Sequence, residues 1–164
     1  ALARYATTAQ FYTAAQPLVR DTMDVVVENA CVNGTAVYLL TNGALTNGAF
    51  MKAGSSWVEA PAEIEENDAA LTDMRAHQEP RDLHASTTAL PGARAYPMIL
   101  AGRLVGILCI GSRAGGEAIP PDIDQAVARI AGAVAIAVAA IETDAIREEN
   151  AQLQRRLTML ALGT

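Results

Sequence analysis

The spacing of apolar residues along this chain changes period several times, and each change predicts an element. Leu2, Tyr5, Ala9 and Tyr12 recur every three or four residues, which predicts one helical stripe over 2–15. Pro17 interrupts it and suits the first turn of a second helix over 17–31. That helix carries Val19, Met23, Val26 and Ala30 on one side, with Leu18, Thr22 and Val25 beside them. Asn33-Gly34 is the expected stop, because both residues tolerate left-handed backbone. The run Thr35–Leu40 is β-branched and aromatic and predicts a strand. Asn42-Gly43 then signals a tight hairpin, with a return strand over 44–53 bent at Gly48.

Residues 54–93 are mixed and polar. Ile64, Leu71 and Met74 give helical spacing from Pro61 to about Gln78, with Glu63, Glu65, Glu66 and Asp68 in its first half, where the helix dipole favours anions. Pro80 stops that helix, Arg81–His84 reads as a short edge strand, and Pro91-Gly92 reads as a turn. Arg94–Ala101 and Arg103–Ser112 predict two strands around Gly102. The second is almost wholly apolar, as a central strand covered on both faces must be, and Pro97 belongs at an edge or bulge of the first. After a Gly- and Pro-rich loop over 113–121, one helix is expected from Pro121 to about Gly163. It carries two stripes. Ile123, Val127, Ile130, Val134, Ala137 and Ile141 form the first, which stops at Ile141 and is expected to cover the sheet. Ile136, Ala139, Thr143, Ile146, Asn150, Leu153, Leu157 and Leu160 form the second, which continues with heptad spacing. Asn150 falls on that seam, where a buried Asn sets register between paired helices. The second stripe predicts a homodimer through Ile136, Ile146, Asn150, Leu153, Leu157 and Leu160. The periodicity divides the chain into an N-terminal linker helix (1–16), a domain (17–141) and a coiled-coil-like extension (142–164).

Composition changes this picture only by exclusion. With 164 residues, 51% apolar and 18% charged, the chain can bury a core and is not a disordered tail. A net charge of −6, with Lys52 the only lysine, opposes a general nucleic-acid surface. The longest uncharged apolar run, 130–141, is twelve residues and too short to span a bilayer, so no membrane segment is expected. The N-terminus ALARYATTAQ has neither a signal-peptide core nor an initiator Met, which is expected of a domain cut from a longer protein or of a processed product, and the cysteine usage suits a reducing cytoplasm. Cys31 and Cys109 have no C-x-x-C or paired-His spacing, so no zinc or redox dithiol site is expected, and both read as buried small apolar side chains. The acidic run from Glu59 to Asp68 lacks calcium-loop spacing, and Gly111–Gly116 lacks the Lys-Ser/Thr ending of a phosphate loop.

The order helix, hairpin, helical crossover, hairpin, long helix has one further content. The segment PMILAGRLVGILCIGSR, with Leu104, Gly106, Leu108 and Gly111 in an L-x-G-x-L-x-x-G pattern, resembles the C-terminal half of a GAF domain. The helix DIDQAVARIAGAVAIAVAAI after it and the upstream DAALTDMRAHQEPRDLH resemble the family too, so the likeness spans roughly 17–141. The resemblance implies an α+β fold, GAF-like and PAS-related. An antiparallel sheet of five to six strands would have the N- and C-terminal helices on one face and a crossover or lid segment on the other, enclosing a small-molecule pocket.

It also implies a non-catalytic sensory or regulatory module that signals through flanking helices to an output domain in the same or a partner chain. The ligand and any cofactor stay unnamed. Residues 54–93 hold no cysteine for bilin attachment, and the Asn-Lys-Phe-Asp-Glu signature of cyclic-nucleotide binders has no match. Candidate pocket residues are His77 and His84, whose imidazoles can ligate or hydrogen-bond, and Arg75, with Arg81 and Arg94 nearby, whose guanidiniums can converge on a carboxylate or phosphate. Phe50, Trp57 and Tyr96 are candidates to stack on a planar ligand. Two alternatives stand beside this reading. One is a ligand-free dimerising spacer whose pocket is filled by its own side chains. The other is an enzyme similar to free methionine sulfoxide reductase, which would need a partner thiol beside Cys109.

Overall fold

A computed structural model describes residues 1–41, 44–52, 61–84 and 87–163 of this chain, with the backbone alone at 41, 44–52 and 114. The helical stripe at the N-terminus forms two pieces, α1 (Leu2–Thr8) and a 3-10 turn (Ala9–Phe11). Leu2, Tyr5 and Ala9 are buried against the helices that follow, so this segment belongs to the core. The second helix, α2 (Ala15–Ala30), starts two residues before Pro17. Proline is harmless there, because the first four N–H groups of a helix have no intrahelical acceptor. The helix stops at Cys31, which takes the left-handed conformation itself (φ 56°), and Asn33-Gly34 lies beyond the end.

Strands β1 (Gly34–Thr41) and β2 (Ala44–Lys52) form the expected hairpin. Val37 faces Ala49 and Tyr38 faces Asn47, so Gly48 is the extra residue of a bulge. The helix expected from Pro61 is half as long. Glu63–Ile64 instead forms a two-residue strand, β3, on the edge of β2, and α3 spans Ala69–His77. Glu63, Glu65 and Glu66 therefore precede the helix, and Asp68 caps it by accepting from the Ala70 and Leu71 N–H groups. Strands β4 (Arg81–Asp82), β5 (Arg94–Leu100) and β6 (Arg103–Ile110) follow. Ala101 and Gly102 both have positive φ (50° and 76°), the geometry that two-residue hairpins need. Pro97 lies beyond the end of β4, where its missing N–H costs no ladder bond on the outer side.

The six strands form one antiparallel sheet in the order β3-β2-β1-β6-β5-β4, with four long central strands and two-residue edges. Alternation along each strand gives the sheet two faces. Val37, Tyr96, Met98, Leu108 and Ile110 point to a core shared with α1, α2 and the last helix, α4. Ala36, Tyr38, Ala95, Ile107 and Cys109 point to a second core under α3. The central strand β6 serves both, hence its unbroken apolar run. Helix α4 spans Pro121–Leu162, 42 residues and about 63 Å. Val127, Ile130, Val134 and Ala137 of its first stripe are buried on the sheet, and every residue from Glu142 to Gly163 is exposed. By length and composition α4 is apolar enough to cross a membrane, more than the twelve-residue count indicates. Flanking alanines extend its apolar stretch, and part of that stretch packs on the sheet, as in the core helix of a globular domain.

Candidate functional site

The face under α3 is where the resemblance places a ligand. Tyr38, Ile64, Leu71, Met74, Ile107 and Cys109 are all fully buried there, against one another. The Tyr38 hydroxyl donates to the Pro61 carbonyl oxygen at 2.7 Å, and burial pushes that hydroxyl and the Cys109 thiol well above their ordinary pKa. Asp68 fastens the lid: besides capping α3 it accepts from the Thr88 hydroxyl at 2.5 Å and the Ala89 N–H at 2.8 Å. The part of this face formed by described residues is therefore packed by its own side chains. Among the described residues no three His, Cys, Asp or Glu side chains converge as a metal site.

The candidate residues are dispersed. Trp57 lies outside the described residues, as does the side chain of Phe50, whose backbone is part of β2. Arg75, Arg81 and Arg94 do not converge, since each guanidinium has its own carboxylate: Glu66, Asp73 and Asp124 respectively. His77 is exposed at the last position of α3, with Nε2 3.6 Å from Asp73 Oδ1. Tyr96 is not a residue of the α3 face. Strand alternation turns it toward α4, where its hydroxyl donates to Asp124 Oδ1 at 2.6 Å. Cys31 is exposed, not buried.

His84 does reach a cavity. A cleft of about 680 Å3 opens between the β4–β5 edge, the segment after β6 and the first turn of α4. Its polar walls are Asp82, His84, Arg94, Ser112, Arg113, Glu117 and Asp124. Arg94 donates from Nε to Asp124 Oδ1 at 2.6 Å and from Nη2 to Oδ2 at 3.2 Å, and its guanidinium lies 5.6 Å from the centre of the Tyr96 ring. Burial disfavours the Arg94 cation, but the hydrogen bond and charge of Asp124 outweigh it and raise its pKa. Burial, and then the bond to Asp124, push the Tyr96 hydroxyl up. At the mouth, Asp82 Oδ1 accepts the His84 backbone N–H at 2.9 Å. Arg113 is half-buried, and its guanidinium has no ion pair or hydrogen bond among the described residues. Sequence reasoning missed Arg113 and Asp124. The pairing of Arg94 with an acid in the first turn of α4 is visible only once β5 and α4 are packed.

A third feature is the second stripe of α4. Ile136 (60%), Ile146 (59%), Leu153 (48%), Leu157 (61%) and Leu160 (70%) are all markedly exposed, on the same helix as exposed Asn150. Near the start of the stripe, Ala133, Ile136 and Ala137 line a shallow groove with Ala6 and Gln10 of the N-terminal segment.

No protein-family model matches the chain, and no curated protein matches it. Solved structures do. The GAF domain of a phosphoenolpyruvate-protein phosphotransferase from Coxiella burnetii superposes with a TM-score of 0.70 at 14% identity, covering 88% of this chain and 94% of that one. A GAF domain/HD domain protein from Geobacter sulfurreducens gives 0.67 at 12% identity, covering 80% and 95%. Free methionine-R-sulfoxide reductase from Neisseria meningitidis gives 0.68 at 15% identity, covering 87% and 89%. Identities this low speak to the fold and not to the ligand or the chemistry. The antiparallel six-stranded sheet, with the terminal helices on one face and α3 on the other, is the fold of a GAF domain.

Proposed function

We propose that this chain is a non-catalytic regulatory module of the cytoplasm. It binds a small molecule and relays occupancy, through a parallel dimer of its α4 helices, to an output domain in the same or a partner chain. The observation that carries the reading is the exposed stripe. A 42-residue helix leaves its last 21 residues, 142–162, exposed, while keeping Ile146, Leu153, Leu157 and Leu160 at heptad spacing. Apolar residues so spaced on a projecting helix are the signature of a seam between two helices. A parallel dimer places residue 150 of each copy side by side. Asn150→Cys in a Cys31→Ser background is then expected to give a covalent dimer under mild oxidation, with Glu149→Cys giving far less. Equal or absent cross-linking at both positions removes the parallel seam.

The ligand-free spacer is favoured by one observation, the self-filled core under α3. A thermal-shift screen of nucleotides, haem and small metabolites separates the two readings, because a ligand of the native state raises the melting temperature. The reductase reading rests on likeness of fold alone. Burial keeps the Cys109 thiol neutral at pH 7, and a neutral thiol is a poor nucleophile.

A further inference from the structure

We propose that the cleft at the start of α4 is a binding site for a small apolar monocarboxylate, whose carboxylate is held between Arg113 and the unused donors of Arg94. The assignment rests on reading the domain as a ligand-responsive module and names the ligand class that reading leaves open.

Three features define the chemistry. The first is donors. A guanidinium carries five N–H groups in a planar fork. Asp124 takes two of those on Arg94, and both Arg94 and Arg113 line the cleft. Arginine forks are the side chains that match a carboxylate geometrically, and Arg94 already holds one. The second is the placement of charge. Arg94 and Arg113 are half-buried in the wall, where half-buried Asp124 balances the charge of Arg94 and leaves Arg113 as the uncompensated cation, whereas Asp82 and Glu117 are exposed at the rim. Wall cations are screened less by water than rim acids. A single negative charge is therefore attracted inward, and a second one, reaching back toward the rim, is opposed. The third is the remaining surface. Ala93, Ala118, Ile119 and Pro121 also line the cleft and supply apolar contact for the body of the ligand. Among the described lining residues there is no Phe, Tyr or Trp to stack on a nucleobase.

The position gives the site a consequence. Arg94 belongs to β5, and Arg113 begins the segment that leads into α4. Arg94 also holds the first turn of α4 through Asp124. A carboxylate bridging the two arginines ties the loop to the sheet edge and stiffens the root of the helix that carries the dimer stripe.

The test is isothermal titration of the full chain at pH 7 and low salt with benzoate and hexanoate, and with succinate and sulfate as dianionic controls. The expected result is saturable binding of one monocarboxylate per chain, weaker binding of the dianions, and a loss of about tenfold or more in Arg113→Gln. Glu117→Gln, a rim change remote from the core, is expected to leave the fold intact and to narrow the gap between succinate and benzoate. Four results overturn the proposal: no saturable binding of either monocarboxylate, tighter binding of the dianions, binding undiminished in folded Arg113→Gln, or an unchanged gap in Glu117→Gln. Sedimentation of the same samples keeps the two readings apart. A dimer that binds neither acid sinks this site and leaves the regulatory reading standing.

Discussion

Asp124 gathers three hydrogen bonds from two side chains of β5: two from Arg94 and one from the Tyr96 hydroxyl. Removing it strands a part-buried cation and a buried hydroxyl. Asp124→Ala is therefore expected to cost about 1–3 kcal/mol, read as a lower urea midpoint, with Asp124→Asn milder. Gly106 shows a different constraint. A Cβ built there lies 2.6 Å from the Tyr38 carbonyl oxygen on the neighbouring strand, and backbone cannot step aside. Gly106→Ala should cost about 1–3 kcal/mol. Gly102→Ala, with open space around it but φ at +76°, should cost about 1 kcal/mol from backbone strain alone. The same denaturation series tests both. Ionisation adds a pH term. Burial raises the pKa of Tyr5, Tyr38, Tyr96 and Cys109 above their unfolded values of 10.0 and 9.0, so the native state keeps protons that the unfolded chain releases. Their contribution is fully present below the unfolded pKa and is lost as pH rises past it, so thermal melts should fall above about pH 9. The fall should be shallower in Tyr38→Phe. At this scale the sequence is informative where a residue type has one use. Gly106 stands in a recognisable strand pattern because only glycine fits beneath Tyr38. The direction of Tyr96 was not readable, because alternation tells which residues share a face and not which face meets the helices.

Helix α4 was legible nearly to the residue. Proline at its first position, two aspartates in its first turn and glycine after its last residue mark both ends. The segment before α3 was not. Glu63–Ile64 pairs with β2 as a strand, and a two-residue strand has no period to read. The decisive residue there is Asp68, read as one acid of a helical run and found to be its cap and its clasp to residues 88–89. Asp68→Ala is expected to cost about 1–2 kcal/mol. Its distinctive mark is local: amide exchange should rise together over 69–77 and 88–90 while β1 and β6 stay protected. Exchange confined to α3 alone would show that the clasp contributes nothing.

The whole molecule has two parts that the two stripes of α4 define. One stripe closes a core with α1, α2 and the sheet, and the other faces away. Both stripes could be read from spacing, because a long helix repeats its rule many times. The cleft could not. Asp82, His84, Arg94, Arg113 and Asp124 come from separate stretches of sequence that only the antiparallel register and the packing of α4 bring to one cleft. The outward stripe is the central claim, and sedimentation velocity of the full chain at tens of micromolar tests it most directly. The account predicts a dimer that Leu153→Glu converts to monomer without loss of helical or strand signal. A wild-type chain that sediments as a monomer, with Leu153→Glu changing nothing, would contradict it.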